Sequence, residues 1–332
     1  MSRVYIVIVN WNGWQDTVEC LESVFALSYE PFTVIVCDNG SSDESVAHLI
    51  AWAKNQGIDH VEYRREEAEA GGTIQAEPRM ILIRNDANLG FAGGNNVGMR
   101  YALSRGDFGY IWLLNNDTVV EPDALTFLVE RMEQLPSAGM CGSTIRYYDE
   151  PTRVQALGGG YYCNWVGLPW HYGRFIRKAE RINQSRAEAL MNYVEGASLL
   201  VSWAFLVAIG LMCEDYFLYF EETDWAIRGK RQFRLAYAPG SIVYHKVGSS
   251  IGTSSNPAAK SYTCDYFNIR NRILFTRRFY PGHLPIVYLV ILGSLMLRLV
   301  LGKWDRVLMI IKLIFNQCNC QPEVDSGCRV QP

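Results

Sequence analysis

Charged residues, paired cysteines and repeated segments are scarce in this sequence. Charged residues make up 20% of the 332 positions and hydrophobic residues 49%, so the chain is neither disordered nor fibrous. Its nine cysteines are an odd number and lie scattered, mostly within apolar runs, which excludes a densely cross-linked secreted scaffold. There is no internal repeat, and the length fits one large domain or two ordinary ones.

Signals for export and for a structural zinc site are missing as well. The apolar run Val4–Val9 is too short for a secretory signal and lacks a small-residue cleavage site. Cys318, Cys320 and Cys328 have no second pair of ligands, which disfavours zinc. We therefore expect reduced cysteines and a cytoplasmic protein.

The net charge of −3 conceals two halves of opposite charge. Residues 1–225 carry 16 Lys and Arg against 30 Asp and Glu, whereas residues 226–332 carry 15 against 4, so the halves are −14 and +11. A basic, apolar C-terminal part indicates attraction to something anionic, either a phospholipid surface or diphosphate groups. On charge alone, nucleic acid is a third candidate.

The first half has the alternating pattern of an α/β fold with a mostly parallel sheet. Continuous β-branched apolar runs predict buried strands at Val4–Val9, Phe32–Cys37, Met80–Ile83 and Tyr110–Leu114. Helical segments lie between them, at about Trp14–Leu27, Ser42–Asn55 and Ala92–Ser104. Ligands of such sheets bind beyond the carboxyl ends of the strands. Three polar clusters occur there: Asn10-Trp11-Asn12, Cys37-Asp38-Asn39 and Asn115-Asn116-Asp117.

Two segments interrupt this alternation. Residues 59–78 are polar and predict a surface insertion between helix and strand, without a site. Residues 145–192 combine three consecutive glycines with many aromatic residues. That composition predicts an irregular, β-rich excursion that could cover a cleft.

The C-terminal part becomes basic and then apolar. Four arginines between residues 270 and 278 precede an apolar stretch, Leu284–Leu301, that only Arg298 interrupts, and Val307–Phe315 is amphipathic. A membrane crossing needs about 20 apolar residues. Because the charge-free part is shorter, we predict an interfacial anchor rather than a span.

Two of the polar motifs suit a nucleotide diphosphate. Asp38 ends the second strand, where a carboxylate can accept hydrogen bonds from a nucleobase or ribose hydroxyl, and we expect Ser42 to cap the next helix and leave Asp38 free. The glycines of Asn88–Gly98 would let backbone N–H groups approach a diphosphate. Tight glycine packing explains that segment equally well, because neither the dinucleotide fingerprint nor a P-loop is present.

Three further motifs carry carboxylates or a histidine. Asn115-Asn116-Asp117 could bind a divalent cation, although an Asx turn is the simpler interpretation. Glu221-Glu222-Thr223-Asp224 opens a helix, and crowding should raise the pKa of one carboxyl, which could then act as a general base; acids at a helix start are also common for dipole reasons alone. His245 ends an apolar strand and could be a metal ligand or a hydrogen-bonded core residue.

Taken in order, five motifs resemble family 2 glycosyltransferases and, within that family, the rhamnosyltransferase-like branch. They span residues 5–13, 37–43, 88–96, 114–118 and 217–225, and the resemblance covers about residues 3–280. It implies a GT-A fold, a nucleotide-diphospho-sugar donor, a Mg²⁺ or Mn²⁺ ion and transfer with inversion. The implied donor is dTDP-rhamnose, with UDP-hexoses as the next choice.

The resemblance also implies roles for individual residues. Asp117 would be the main metal ligand, with His245 completing the shell, because Asn115-Asn116-Asp117 has one carboxylate where the family has Asp-x-Asp. Glu222 would be the catalytic base. The acceptor side would include Gly196, Ala197, Glu221, Asp224 and Trp225. The nucleotide sugar would be bound by Asn10, Trp11, Asn12, Asp38, Asn88, Gly90, Asn95, Asn96 and Asn116.

The implied organisation is a catalytic domain at residues 1–280, with a nucleotide-binding half (1–117) and an acceptor half (118–280). Residues 281–316 would be membrane-associating helices and residues 317–332 a polar tail. We expect transfer to a saccharide or a lipid-diphosphate-linked saccharide in cell-surface polysaccharide synthesis, at the inner face of the cell membrane. No nucleic-acid partner is expected, and a homodimer is left open.

Three other functions compete with this interpretation. A nucleotidyltransferase would need a glycine-rich loop near the first strand, which the sequence lacks. A non-catalytic GT-A scaffold is suggested by the single carboxylate of Asn115-Asn116-Asp117. Nucleic-acid binding would have only Phe275 and Phe279 as base-stacking aromatics among the arginines.

Overall fold

The computed structural model describes residues 2–73, 78–173, 183–246 and 261–316, so Cys318, Cys320 and Cys328 lie outside the described residues. The six described cysteines are free thiols, as expected. The first half alternates strands and helices: β1 (Val4–Asn10), α1 (Trp14–Phe25), β2 (Phe32–Asp38), α2 (Ser45–Asn55), β3 (His60–Arg64), α3 (Arg65–Glu69), β4 (Met80–Arg84), α4 (Gly90–Arg105) and β5 (Tyr110–Asn115).

The second half is richer in short strands and ends in three helices. Its elements are β6 (Thr118–Val120), α5 (Ala124–Gln134), β7 (Ala138–Tyr147), β8 (Val154–Leu157), β9 (Gly159–Cys163), β10 (Leu168–Trp170), α6 (Gln184–Leu190), β11 (Tyr193–Val194), β12 (Ser198–Ser202), α7 (Trp203–Ile209), α8 (Glu221–Gly229), β13 (Arg234–His245), α9 (Tyr262–Phe279), α10 (Leu284–Val300) and α11 (Trp304–Asn316).

One mixed sheet runs through the molecule in the order β10-β9-β8-β7-β12-β5-β1-β2-β4-β3, with β13 pairing β6 and β7. The strands of the first half are parallel, and β12 joins β5 in the antiparallel sense. Strands β1 and β2 are buried almost throughout, because helices cover both faces of the sheet. The predicted α/β class and the C-terminal helical extension are confirmed.

Two local expectations are corrected. Residues 59–78 contain β3, which pairs with β4 in parallel and forms the edge of the sheet, so this segment is not only a surface insertion. The second helix begins at Ser45 and has no side-chain cap at Glu44, so Ser42 does not cap it. Asp43 instead accepts hydrogen bonds from the backbone and hydroxyl of Ser45. The predicted β-rich excursion after residue 145 is present as β8 to β11.

The three C-terminal helices form their own apolar layer. Ile269 and Ile273 of α9 pack with Val287 and Ile291 of α10, and α11 closes the cluster. Arg298, the charge that interrupts the apolar stretch, is buried and donates two hydrogen bonds, of 3.0 and 2.8 Å, to the carboxylate of Asp265 on α9. By length and composition alone, Pro281–Val300 is apolar enough to cross a membrane.

Candidate active site

The register of the parallel strands brings the three predicted polar clusters together. Asn10 lies opposite Asp38 in the β1–β2 pair, and Val9 lies opposite Asn115 in the β1–β5 pair. The carboxyl ends of β1, β2 and β5 therefore meet at one edge of the sheet, where α/β folds bind ligands.

A cavity of about 470 Å³ opens at this edge. It lies between the strand ends of the first half and the loops of the second half. Ten of the predicted site residues line it: Trp11, Asn88, Gly90, Asn116, Asp117, Gly196, Ala197, Glu221, Glu222 and His245. The motifs are far apart in the sequence, so their meeting in one cavity depends on the fold.

Asn10, Asn12 and Asp38 do not line the cavity but hold the turns that do. Asp38 is not free, because its Oδ1 accepts hydrogen bonds from Asn10 Nδ2 (2.7 Å) and Ser41 Oγ (2.6 Å). The Oδ1 of Asn12, a residue in the left-handed region at φ +50°, accepts from the backbone N–H of Ser42 at 2.7 Å. These bonds brace the loops on either side of Trp11, which is 39% exposed at the cavity.

The glycine-rich segment contributes its first residues to the cavity and the later ones to packing. Asn88 Oδ1 accepts from the N–H of Gly90 at 2.9 Å, where α4 begins. Gly90 has φ +73°, and a Cβ there would lie 2.3 Å from the carbonyl oxygen of Phe217, so only glycine fits.

Asn95 and Asn96 do not line the cavity, and their amide groups bond within the protein. Asn95 Nδ2 donates to the carbonyl of Phe91 at 2.9 Å. Asn96 exchanges two hydrogen bonds with the backbone of Met212 and donates a third to Glu214 at 2.8 Å. Their amides tie α4 to itself and to the segment before α8. Tight packing therefore explains this part of the motif.

Asp117 and His245 form the cation-binding candidate. His245 Nε2 lies 3.2 Å from Asp117 Oδ1, and His245 Nδ1 lies 3.0 Å from Gln155 Oε1. Burial alone would lower the pKa of His245, but the neighbouring Asp117 carboxylate outweighs it and raises that pKa. Asn116 donates to Thr17 Oγ1 at 3.0 Å, which fixes the turn before Asp117.

This arrangement fits a divalent cation that retains other ligands. Because the amide oxygen of Gln155 can only accept, Nδ1 of His245 donates to it, and the raised pKa favours a second proton on Nε2, facing Asp117. A bound cation would replace that Nε2 proton and use the nitrogen lone pair and the Asp117 carboxylate as ligands. Within the described residues, no group of three or more His, Cys, Asp or Glu side chains is placed to hold a metal. Diphosphate oxygens and water would therefore have to complete the shell, as they do for Mg²⁺ in many nucleotide sites.

Glu221 and Glu222 begin α8 and line the same cavity. Burial, together with the charges of Glu221 and Glu195, holds the pKa of Glu222 well above its usual range. Burial likewise raises the pKa of Glu221, whose Oε2 has no hydrogen-bond partner among the described residues. The predicted rise in carboxyl pKa is therefore present, and it involves both residues.

Asp224 and Trp225, predicted on the acceptor side, do not line the cavity. Asp224 is fully buried and accepts from Arg228 Nε (2.6 Å), Tyr216 Oη (2.9 Å) and Arg278 (3.3 Å). Trp225 Nε1 donates to the carbonyl of Gly210 at 2.8 Å. Both side chains attach α8 to neighbouring segments. Of the acidic residues in the motif, Glu221 and Glu222 line the cavity, and Asp224 forms ion pairs with Arg228 and Arg278.

Several cavity residues were not predicted. Glu195, Gln155 and Thr263 all line it. Glu195 directly precedes the predicted Gly196-Ala197 segment, so its position offered a signal. Gln155 and Thr263 offered none, because each reaches the cavity only through the packing of a distant element.

Sequence comparisons connect this geometry to known proteins. The profile described as Glycosyl transferase family 2 matches residues 5–195. Poly-beta-1,6-N-acetyl-D-glucosamine synthase of Staphylococcus aureus strain COL is 20% identical over 252 residues, 76% of this chain and 52% of that protein. Low-salt glycan biosynthesis hexosyltransferase Agl10 of Haloferax volcanii is 21% identical over 232 residues, 70% of this chain and 63% of that protein. The chain thus spans little more than half the length of these curated relatives.

Solved structures share the fold at low sequence identity. Mannosyltransferase PcManGT of Pyrobaculum calidifontis, in complex with GDP-Man and Mn²⁺, has a TM-score of 0.56 and 12% identity, covering 95% of this chain and 88% of that one. GalNAc-T7 with UDP, GalNAc and Mn²⁺ has a TM-score of 0.56 and 14% identity, covering 85% and 54%. The fold is therefore of the GT-A type. Because the family profile matches more than half of the chain, including the strand ends that form one side of the cavity, this protein belongs to glycosyl transferase family 2.

Proposed function

We propose that this protein transfers a hexosyl group, with inversion, from a nucleoside-diphosphate sugar to a hydroxyl group of a saccharide acceptor. The observation that carries the proposal is the meeting of Glu222, whose pKa is raised, with Asp117 and His245 in one cavity. A proton acceptor and a candidate diphosphate-binding pair are the two functions that such a displacement requires.

Glu222 acts as the general base. Its carboxylate takes the proton of the acceptor hydroxyl as that oxygen bonds to the anomeric carbon. The bond between that carbon and the diphosphate oxygen breaks, and the nucleoside diphosphate leaves with the electron pair. Attack from the face opposite the leaving group inverts the anomeric centre, and no covalent enzyme intermediate is formed.

Asp117 and His245 would hold Mg²⁺ or Mn²⁺. When bound, the cation supplies positive charge that stabilises the departing diphosphate. Gln155 orients the His245 ring through Nδ1, and Asn88 and Gly90 shape the start of α4 beside the same space. PcManGT was solved with GDP-Man and Mn²⁺, and GalNAc-T7 with UDP, GalNAc and Mn²⁺, which supports a divalent cation here.

For the donor we propose dTDP-rhamnose, with UDP-hexoses next. This donor proposal is supported only by the order of the five sequence motifs, which resembles that of the rhamnosyltransferase-like branch. GDP-Man, named with PcManGT, and N-acetylglucosamine, named in the S. aureus synthase, belong in any donor panel. We further propose that the product belongs to a cell-surface polysaccharide; the names of the synthase and of Agl10 support a polysaccharide or glycan product.

We propose that α10 and α11 dock the enzyme on the inner face of the membrane, so that a lipid-diphosphate-linked acceptor reaches the cavity. Exposed apolar side chains recur at helical spacing on both helices: Leu289, Leu292, Met296 and Val300 on α10, and Trp304, Leu308, Ile311 and Phe315 on α11. Arg298 is turned inward to Asp265, so its charge does not interrupt this surface.

Helix α10 is proposed to lie in the membrane plane rather than to cross. It packs along α9 through Val287 and Ile291, and the Asp265–Arg298 pair ties its other end to the same helix. A crossing would separate α10 from α9 and leave Asp265 without this partner. That separation is costly, because breaking a buried ion pair costs about 3–5 kcal/mol.

The test is a donor panel with a simple acceptor. The enzyme is incubated with dTDP-rhamnose, UDP-glucose, UDP-GlcNAc and GDP-mannose, each with and without Mn²⁺, and the released nucleotide product is identified. Release of a nucleoside diphosphate with sugar transfer supports the proposal. Release of a sugar 1-phosphate, with the nucleotidyl group transferred instead of the sugar, would indicate a nucleotidyltransferase. Donor binding without turnover, in the presence of membranes and lipid-linked acceptors, would favour the non-catalytic scaffold suggested by Asn115-Asn116-Asp117.

A further inference from the structure

The loop that leads into the catalytic carboxylates has a strained backbone. Phe217, Tyr219 and Phe220 have φ values of +62°, +69° and +80°, although none of them is glycine. L-residues rarely adopt this region, and three such residues within four positions persist only where surrounding structure holds them. Phe217, Leu218 and Tyr219 line the cavity, and Glu221, which also lines it, follows after Phe220.

Asn271 of α9 binds the backbone of this loop at three points. Its Nδ2 lies 2.9 Å from the carbonyl oxygen of Tyr216, 2.7 Å from that of Leu218 and 3.0 Å from that of Tyr219. An amide nitrogen has two hydrogens, so at least one hydrogen is shared between two carbonyls. The Asn271 side chain is fully buried. If its amide were removed, the three carbonyl oxygens would be left buried without this hydrogen-bond donor, which costs free energy.

Other contacts fix the side chains of the loop. The Phe217 ring stacks on Phe267 of α9 with centroids 4.9 Å apart, and Tyr219 Oη lies 3.1 Å from Cys264 Sγ. On the opposite side, the carbonyl of Phe217 accepts from the N–H of Phe91 at 2.7 Å, at the start of α4. The loop therefore spans from the donor-side helix to α9, and Asn271 holds its carbonyls in between.

We propose that Asn271 is a positioning residue for the transfer reaction. It holds residues 216–219 in the strained conformation that orients Glu222 toward the cavity and keeps Leu218 and Tyr219 in the cavity wall. Asn271 does not line the cavity and does not touch the reacting atoms. Its effect is exerted through the loop, and the catalytic part of the inference depends on the proposed function.

The first test measures the loop directly and does not need activity. Hydrogen exchange, followed by mass spectrometry, is compared in the wild type, Asn271→Leu and Asn268→Leu. Asn268 is the matched control, because it lies on the same helix but donates to the carbonyl of Cys264, one turn back, at 2.9 Å. We expect amides of residues 214–222 to exchange at least tenfold faster in Asn271→Leu, with the remainder of α9 as in the wild type. Wild-type exchange in this segment would overturn the inference.

The second test separates positioning from binding. In Asn271→Leu we expect kcat to fall at least tenfold, while the Kd of the nucleoside diphosphate with Mn²⁺ stays within twofold. The acid limb of the pH–rate profile should also move toward lower pH, because a released loop exposes the Glu222 carboxyl to water. Asn268→Leu should match the wild type in kcat, in the Kd of the nucleoside diphosphate and in the acid limb of the pH–rate profile. An equal loss of kcat in both variants would mean that Asn271 supports only the helix.

A third variant covers the case in which Asn271→Leu does not fold. Asn271→Gln keeps the amide donor on a longer side chain and should retain part of the activity and of the slow exchange. Asn271→Gln with wild-type exchange but no activity would contradict the positioning role. If the wild type transfers no sugar, the proposed function fails, while the exchange experiment still decides whether Asn271 holds the loop.

Discussion

His245 Nε2 lies 3.2 Å from Asp117 Oδ1, although the two residues are 128 positions apart in the sequence. Asp117 lies in the turn between β5 and β6, and His245 is the last residue of β13. Strand β13 pairs with β6, and His245 stands opposite Thr118, the residue after Asp117. This pairing places an imidazole nitrogen that can ligate a cation beside the single carboxylate of Asn115-Asn116-Asp117. Where the family motif Asp-x-Asp has two carboxylates, this chain has one, and His245 from the other half of the chain is the second candidate ligand.

Gln155→Leu should weaken cation binding without removing a ligand. Gln155 fixes the His245 ring through Nδ1, and loss of such an outer partner typically costs about 10–100-fold in metal affinity or activity. The measurement is a Mn²⁺ titration of nucleoside-diphosphate binding by calorimetry. Glu121→Gln, an exposed site that contacts Tyr244, is the control. An unchanged Mn²⁺ midpoint in Gln155→Leu would contradict the role of Gln155 in orienting His245 for the cation.

Glu222→Gln should abolish turnover and preserve donor binding. A general base contributes about 10²–10⁴-fold in rate, and glutamine has nearly the same shape but cannot take a proton. We expect kcat to fall by about that factor, with the Kd for the donor nucleotide within threefold of the wild type. Full turnover in a folded Glu222→Gln protein would contradict the assignment of the base.

The pH dependence of kcat/KM should show an acid limb above the usual range of a carboxyl group. Glu222 must be deprotonated to act as base, and burial together with Glu221 and Glu195 raises its pKa, so activity is lost as pH falls through that raised value. The stability contribution has the opposite pH dependence: the folded state binds this proton more tightly, so the contribution is present at low pH and lost as pH rises through the raised pKa. Thermal unfolding of Glu222→Gln should therefore depend less on pH, at pH values above the usual pKa of a glutamate, than that of the wild type. If the unfolding temperatures of the wild type and Glu222→Gln change identically with pH, a raised pKa of Glu222 would be contradicted.

The exposed faces of α10 and α11 should be needed for membrane binding. We expect the quadruple variant Leu289→Ser, Met296→Ser, Leu308→Ser and Phe315→Ser to stay in the soluble fraction when floated with anionic phospholipid vesicles. Trp203→Ser with Val207→Ser, which removes exposed apolar side chains from α7, is the control and should float like the wild type. Flotation of the quadruple variant with the vesicles would show that these helices do not provide the membrane contact.

The sequence predicted the fold best where one physical signal dominated. The buried β-branched runs gave β1, β2, β4 and β5 to within a residue at each end, because strands covered on both faces have little alternative. The edge strand β3 was missed, since His60–Arg64 is polar and only half-buried and gains its structure by pairing with β4. The hydrophobic periodicity of a segment does not show whether that segment pairs with a distant strand.

The site was predicted less completely, for a reason visible in individual motifs. Asn95 and Asn96 stand beside cavity residues in the sequence, but the helical rotation of α4 turns their amides into the protein. The same rotation on α8 separates Glu221 and Glu222 from Asp224 and Trp225. Gln155 and Asn271 carry no local signal, because their roles arise from contacts across 90 and 52–55 positions of the chain.

The most direct test is a thermal-shift comparison of dTDP, UDP, GDP and CMP, each with and without Mn²⁺, in the wild type and in Asp117→Ala. The account predicts that one nucleoside diphosphate stabilises the wild type only when Mn²⁺ is present, and that Asp117→Ala loses this shift while its ligand-free unfolding temperature stays close to the wild type. Stabilisation that is equal with and without Mn²⁺, or that survives in Asp117→Ala, would contradict a metal-assisted donor site at this cavity.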